Sequence, residues 1–294
     1  MRPASITVAF LLFAAAVAIA QQPASAGRLI SASELAAQTK DPALVILHVA
    51  EDDSAYAQSH IPRARFVRYR SVAPGGSDDL GAELPPLQAL KELFEAVGVS
   101  DTSRVVLYGH PVLASRVFFT LDAVGHPRVA ILNGGLEAWR AGGHPVERGA
   151  GTPAGDRRAT FAPRIDPKRF ATAQWIRANA ASISLVDVRP DPEFTGSDGG
   201  MGGVHVPGHI DGAKQLAWNA LVGPDGLFLA ADQLRTKLQG AGAVAGKPIV
   251  PYCMIGMRAS VVYFVARHLG LDARLYDGSI VDWGRRGLPT KTGR

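Results

Sequence analysis

Two halves of this 294-residue chain repeat one another in fixed order, and no other feature limits the fold as tightly. Arg104-Val-Val-Leu-Tyr-Gly109 matches Pro248-Ile-Val-Pro-Tyr-Cys253, and Ala114-Ser-Arg-Val-Phe-Phe119 matches Ala259-Ser-Val-Val-Tyr-Phe264. Ile131-Leu-Asn-Gly-Gly-Leu-Glu-Ala-Trp139 matches the segment from Arg274 to Trp283, and a Gly and then Pro145 or Pro289 follow. The copies lie 144 residues apart at Gly109 and Cys253 and 145 apart at Ala114 and Ala259. Upstream, Leu44-Val-Ile-Leu-His48 pairs with Ile183-Ser-Leu-Val-Asp187, and His60-Ile61 with His209-Ile210. A chain so built folds as two equivalent domains. A Gly/Arg/Ala/Pro-rich stretch without hydrophobic periodicity marks the linker at 147–164, leaving domains at 27–146 and 165–294.

Within each copy, short β-rich apolar runs alternate with amphipathic helical patterns. The second half predicts strands over 184–188, 248–252 and 273–276, and helices over 231–239 and 259–269. That alternation implies α/β domains, each a mainly parallel sheet flanked by helices, with ligands gathered at the carboxyl ends of the strands. Pro251 is the exception, because it removes a ladder donor inside a central strand.

Cys253 is the single cysteine and stands at one of those carboxyl ends. It has no intramolecular disulfide partner and belongs to no multi-cysteine metal site. It precedes a Gly-containing loop and a helix start, where free amides and the helix dipole stabilise an anion and lower a thiol pKa. Its alternatives are an inert buried thiol and a reactive one, and this setting favours the reactive one. The first twenty residues suggest where it works. Arg2, the apolar run Ile6 to Ala20 and Ala18-Ile-Ala20 (or Ala24-Ser-Ala26) read as a signal peptide over 1–26, shorter than a membrane span. Export to the periplasm or outside the cell, with no membrane segment in the mature form, is the expectation. The formal charge of +5 comes from scattered basic residues without an aromatic-basic stripe, so no nucleic-acid surface is indicated. The balance suits a small anionic substrate, but ordinary surface charge accounts for it as well.

Leu185-Val-Asp-Val-Arg189, Gly208-His-Ile-Asp-Gly-Ala213, Tyr252-Cys-Met-Ile-Gly-Met-Arg-Ala-Ser260 and Tyr276-Asp-Gly-Ser279 with Trp283 resemble, in this order, the recurring motifs of the rhodanese family. The tandem arrangement resembles its two-domain thiosulfate and 3-mercaptopyruvate sulfurtransferases, over about residues 28 to 290. The resemblance implies two tandem rhodanese-like domains, of which the C-terminal one carries the nucleophile. The letters agree: Gly109 stands opposite Cys253, Leu113 opposite Arg258, and His48-Val-Ala50 opposite Asp187-Val-Arg189. The first copy lacks nucleophile, loop arginine and Asp-x-Arg pair together, and cannot do the same chemistry.

The six residues from Cys253 to Arg258 form a loop whose amides point into one concavity, with Gly256 supplying backbone angles closed to other residues. Thiolate attack on the outer sulfur of thiosulfate leaves a Cys253 persulfide, which cyanide or a thiol then relieves of its sulfur. No metal or organic cofactor is required; the partners are a small anionic sulfur donor and a thiophilic acceptor. Arg258 is assigned to catalysis, against a reading in which it only pairs with a surface carboxylate. Arg189 is assigned to the donor's anionic head by the resemblance, against an interdomain salt bridge. Met254, Ile255, Gly256 and Met257 complete the substrate-binding set. Asp187 is structural beside the site, Asp277 a turn cap, and His60 and His209 are satisfied core or turn histidines. His205 and His209 span Val-Pro-Gly, which precludes a helical metal pair. Phosphatase or arsenate-reductase relatives have a seven-residue Cys-x5-Arg loop sized for a tetrahedral oxyanion, so the shorter loop here favours sulfur transfer. Met254-Ile255 matches neither the basic pattern of thiosulfate enzymes nor the Gly-Ser pattern of mercaptopyruvate enzymes. Thiosulfate is preferred as donor; a mercaptopyruvate enzyme and a persulfide carrier without turnover remain open.

Overall fold

The computed structural model describes residues 28–75, 83–151, 159–198 and 206–294; the expected signal peptide, seven residues of the linker and His205 lie outside them. The first half begins with β1 (Leu29–Ile30), α1 (Ala32–Gln38), β2 (Leu44–Ala50), α2 (Ser54–Gln58) and β3 (Arg65–Arg68). It continues with α3 (Leu87–Ala96), β4 (Arg104–Gly109), α4 (Pro111–Ala123), β5 (Val129–Leu132) and α5 (Gly135–Ala141). Every pairing is parallel, in the order β1-β5-β4-β2-β3. Helices cover both faces, so β2 reads as an unbroken apolar run, Leu-Val-Ile-Leu before His48, rather than an alternating one. Ser31 and Glu34 close a capping box that starts α1.

The second half repeats this plan with a shorter sheet. It carries α6 (Ala173–Asn179), β6 (Ser184–Asp187), α7 (Asp191–Thr195), β7 (Lys214–Gln215), α8 (Ala231–Gly240), β8 (Ile249–Tyr252), α9 (Ala259–His268) and α10 (Ser279–Arg285). Three strands run in the order β7-β6-β8, and single parallel bridges Ile249–Ala273 and Phe170–Leu275 extend the same order outward. The strand expected over 273–276 is therefore reduced to bridges. Pro251 supplies the reason. Ile249 exchanges both backbone bonds with the Asp272–Arg274 segment (N–H to Asp272 O and O from Arg274 N, each 2.9 Å). By the pleat Pro251 faces the same segment, its carbonyl accepts from Tyr276 N–H at 3.2 Å, and its missing N–H leaves a gap in the ladder. Leu107 holds the matching place in β4, where β5 forms in full.

The repeat extends to individual hydrogen bonds. Tyr108 Oη accepts from Ile61 N–H at 3.2 Å and Tyr252 Oη from Ile210 N–H at 3.0 Å. Trp139 donates to the Pro145 carbonyl at 2.7 Å and Trp283 to that of Pro289 at 2.9 Å. His60 bonds the Tyr56 carbonyl (2.8 Å) and stacks on Tyr56 (4.0 Å between centroids); His209 does the same with Phe194 (3.0 and 3.9 Å). Both histidines hold the turn after a short helix; the expectation of a satisfied residue fails at His60 Nε2, which is buried without a hydrogen bond and 3.7 Å from Glu147 Oε2.

The halves join through the equivalent helices α4 and α9. Phe118 packs on Phe264 at 4.9 Å and Phe119 on Tyr263 at 5.0 Å. Since Phe118 corresponds to Tyr263 and Phe119 to Phe264, the contacts are reciprocal, the mark of a two-fold relation between copies. The equivalent positions Asp122 and Arg267 meet at 3.0 Å near that axis. The linker is not free of the first half: Glu147 pairs with His60, Phe161 is buried against Phe94, and Asp101 N–H bonds the Thr160 carbonyl at 3.1 Å. No helix among the described residues is long and apolar enough to cross a membrane.

His48, in Asp187's place, is buried with its Nδ1 unpartnered among the described residues and its ring stacked on Tyr108 at 4.6 Å. Burial, and to a lesser degree His60, lowers its pKa from 6.5 to about 4. The unfolded chain therefore binds more protons between these values, and stability falls as pH drops from about 6.5 toward 4. At about 1.4 kcal/mol per pH unit the loss reaches roughly 3 kcal/mol. Melting curves from pH 7 to pH 4.5 for the wild type and His48→Leu check this: the variant should lose part of the slope, and an identical slope would remove His48 as its source.

Candidate functional site

Cys253 follows β8 directly and is fully buried. Its N–H donates to Ser279 Oγ at 3.0 Å, and its carbonyl accepts from Ile280 N–H at 3.1 Å. Ser279 Oγ donates onward to the Tyr276 carbonyl at 2.8 Å. Ser279 has φ 53°, a left-handed conformation that a non-glycine residue keeps only when its surroundings impose it. The loop is thus tied at its first residue to the start of α10. One expectation changes here, because the Cys253 amide serves this tie rather than the anion concavity. Gly256 has φ +86°, and a Cβ there would lie 2.5 Å from both the carbonyl and Oδ1 of Asp277. Only glycine lets the loop turn this close to its neighbour.

Arg258 occupies the N-cap position of α9 and bonds Glu193 through both ends of its guanidinium, Nη1 to Oε1 at 2.7 Å and Nη2 to Oε2 at 2.8 Å. The Cys253 thiol is among the groups whose charge acts on it. Burial alone would lower its pKa; the Glu193 bond, then the charges of Cys253 and Glu193, outweigh that and raise it. Arg258 is a fixed cation beside the sulfur. Its carboxylate partner is not on the surface but 8% exposed. Of the remaining loop residues, Met254 is buried in the second half's core, while Ile255 and Met257 are half-buried and pack against the cores.

Arg189 and Asp277 need correction. Arg189 is 1% exposed. Its Nε and Nη2 fork onto Asp187 (2.6–3.1 Å), Nη2 also bonds the Gly208 carbonyl at 2.7 Å, and the guanidinium lies over the Tyr252 ring. Its side-chain partners all lie in the second half, so it does not bridge the halves; it locks the end of β6 to the turn before His209. Asp187, expected to be structural, also takes the Arg189 N–H at 3.0 Å. Asp277 is more than a turn cap. It pairs with buried Arg116 of α4 (2.5 and 3.2 Å), so the first half supports the turn behind Gly256. A cavity of about 270 Å³ lies beyond this turn, lined by Phe170, Tyr276, Asp277, Arg286 and Glu83 among others, and no residue of 253–258 lines it.

Sequence reasoning missed Glu193, Ser279 as a loop tie, and Arg116. The silent copy held a signal for Glu193. Phe194 on His209 mirrors Tyr56 on His60, so Ala55, just before Tyr56, stands where Glu193 precedes Phe194. The first half lacks thiol, arginine and carboxylate alike.

Residues 31–142 and 172–286 match the family model described as the Rhodanese-like domain. The chain is similar to the sulfur carrier protein TtuD of Thermus thermophilus, 30% identical over 290 residues that cover 90% of this chain and 96% of that one. It is similar to the thiosulfate sulfurtransferase of Azotobacter vinelandii, 30% identical over 268 residues covering 89% and 95%. Among solved structures, YnjE superposes with a TM-score of 0.80 at 26% identity, covering 91% of this chain and 68% of that one.

Proposed function

The chain belongs to the rhodanese family, and we propose that it is a sulfurtransferase moving sulfane sulfur from thiosulfate to a thiophilic acceptor through a Cys253 persulfide. The observation that carries the reading is the lone thiol at the end of β8, at the head of the loop that closes on Arg258, whose guanidinium is held by Glu193 and feels the charge of Cys253. In the first half-reaction the thiolate attacks the outer sulfur of thiosulfate. A Cys253–sulfur bond forms, the donor's sulfur–sulfur bond breaks, and its electron pair leaves on sulfite. In the second, cyanide or a thiolate takes the outer sulfur and the pair returns to Cys253. No net electron enters or leaves the protein. Arg258 offsets the negative charge on the sulfur in both steps, and its tether to Glu193 fixes the cation where that charge develops.

Steady-state thiocyanate formation from thiosulfate and cyanide tests the enzyme reading. Similarity to a named sulfur carrier supports a second reading, in which Cys253 receives sulfur and passes it only to a protein. Persulfide formation without thiocyanate turnover would decide for that carrier. A kcat/KM greater for mercaptopyruvate than for thiosulfate would overturn the donor assignment. The reading includes export: the apolar run Ile6 to Ala20 ending in Ala18-Ile-Ala20 supports cleavage and a periplasmic or secreted mature protein. N-terminal sequencing of the mature chain tests it, and a retained Met1 would overturn it.

A further inference from the structure

Glu193 lies on α7, a helix of little more than one turn, yet its carboxylate sits on a frame held from both sides. Before it, Arg189 is locked to Asp187 and to the Gly208 carbonyl. After it, Phe194 stacks on His209 at 3.9 Å and the His209 ring bonds the Phe194 carbonyl at 3.0 Å. Arg258, by contrast, ends in a guanidinium on a flexible stem, and without a partner it would sample many rotamers beside the sulfur. Two parallel hydrogen bonds of 2.7 and 2.8 Å fix both the position and the plane of that group.

We propose that Glu193 is a positioning residue for sulfur transfer, holding the Arg258 guanidinium against Cys253 and acting on the reaction only through that arginine. This rests on the persulfide reading of Cys253. The silent half argues against a merely structural role. There α2, which corresponds to α7, forms with Ala55 in place of Glu193, and Tyr56 and His60 make the same stack and carbonyl bond. The short helix therefore folds without the carboxylate. What disappears along with Glu193 is Arg258 and Cys253, replaced by Leu113 and Gly109.

The test uses the full chain as wild type, Glu193→Gln, Arg258→Ala and the double variant. Steady-state kinetics with thiosulfate and cyanide, melting temperature and the pH profile of Cys253 alkylation by iodoacetamide are the readouts. Glu193→Gln should lower kcat/KM about tenfold, chiefly in kcat, as expected when a charged group is loosened by a fraction of an ångström. It should cost nothing further in the Arg258→Ala background. Its alkylation profile should move to higher pH, toward that of Arg258→Ala, and Glu193→Asp should recover part of kcat. An equal loss in both backgrounds, or a lower melting temperature with unchanged kcat, would overturn the proposal. So would a fall in KM with kcat maintained, which would make Glu193 a competitor of the donor for Arg258. If the wild type formed no persulfide, the functional reading would fail instead, while the alkylation profiles would still report whether Glu193 governs Arg258.

Discussion

Cys253→Ser is expected to abolish sulfur transfer and leave the fold standing. A serine oxygen does not form a stable persulfide analogue, so the first half-reaction has no product. The change removes little volume, and the backbone ties of residue 253, its N–H to Ser279 and its carbonyl from Ile280, are independent of the side chain. The cost in stability is that of one buried hydroxyl, of order 1–3 kcal/mol. Because the chain has a single cysteine, the mass test is unambiguous. Thiosulfate-treated wild type should gain the mass of one sulfur atom and lose it on adding cyanide, while Cys253→Ser should gain none. Thiocyanate turnover in the serine variant, or an added sulfur that survives in it, would refute the mechanism.

The internal repeat made the architecture legible, because each copy controls the other. Matching apolar runs in fixed order predicted two parallel sheets, and both have the same strand order. Cys253 and Arg258 stood out because Gly109 and Leu113 hold their places in the other copy. The rest depended on contacts that no spacing encodes. Asp187 and Arg189, two apart at a strand end, could point outward to an anion or fold back on each other. The Gly208 carbonyl and the Tyr252 ring decide it, and both come from elsewhere in the chain. Asp277 finds Arg116 across 161 residues. The gap in the second sheet was half legible: Pro251 announced a missing donor, but only the pleat shows which neighbour loses it.

Asp122→Ala should be the most destabilising single change in the interface between the halves, by about 3–5 kcal/mol. Asp122 is 6% exposed and collects four partners from both halves. Tyr263 donates to it at 2.5 Å, Arg267 at 3.0 Å, and Arg28 and Arg169 lie 3.6 Å away. Burial, with Arg267 and Arg169 adding to it, already holds Arg28 below its ordinary pKa although Asp122 opposes this. Without the carboxylate Arg28 and Arg267 would face one another, Arg169 would keep only Asp166 at 3.1 Å, and the Tyr263 hydroxyl would lose its acceptor. Removing one member of such a group leaves uncompensated buried charge, which costs more than the group contributes when intact. Asp122→Asn, which can still accept from Tyr263, should lose less. Arg267→Met in the Asp122→Ala background should recover part of the loss by removing one of the facing cations. The melting temperature is the readout, at roughly 2–4 °C per kcal/mol for a chain of this size. Because α9 begins directly after Arg258, activity in Asp122→Ala should fail at a lower temperature in parallel with the melt. A melting temperature within a degree of the wild type would mean that water already neutralises this cluster and that the aromatic contacts alone hold the two copies together.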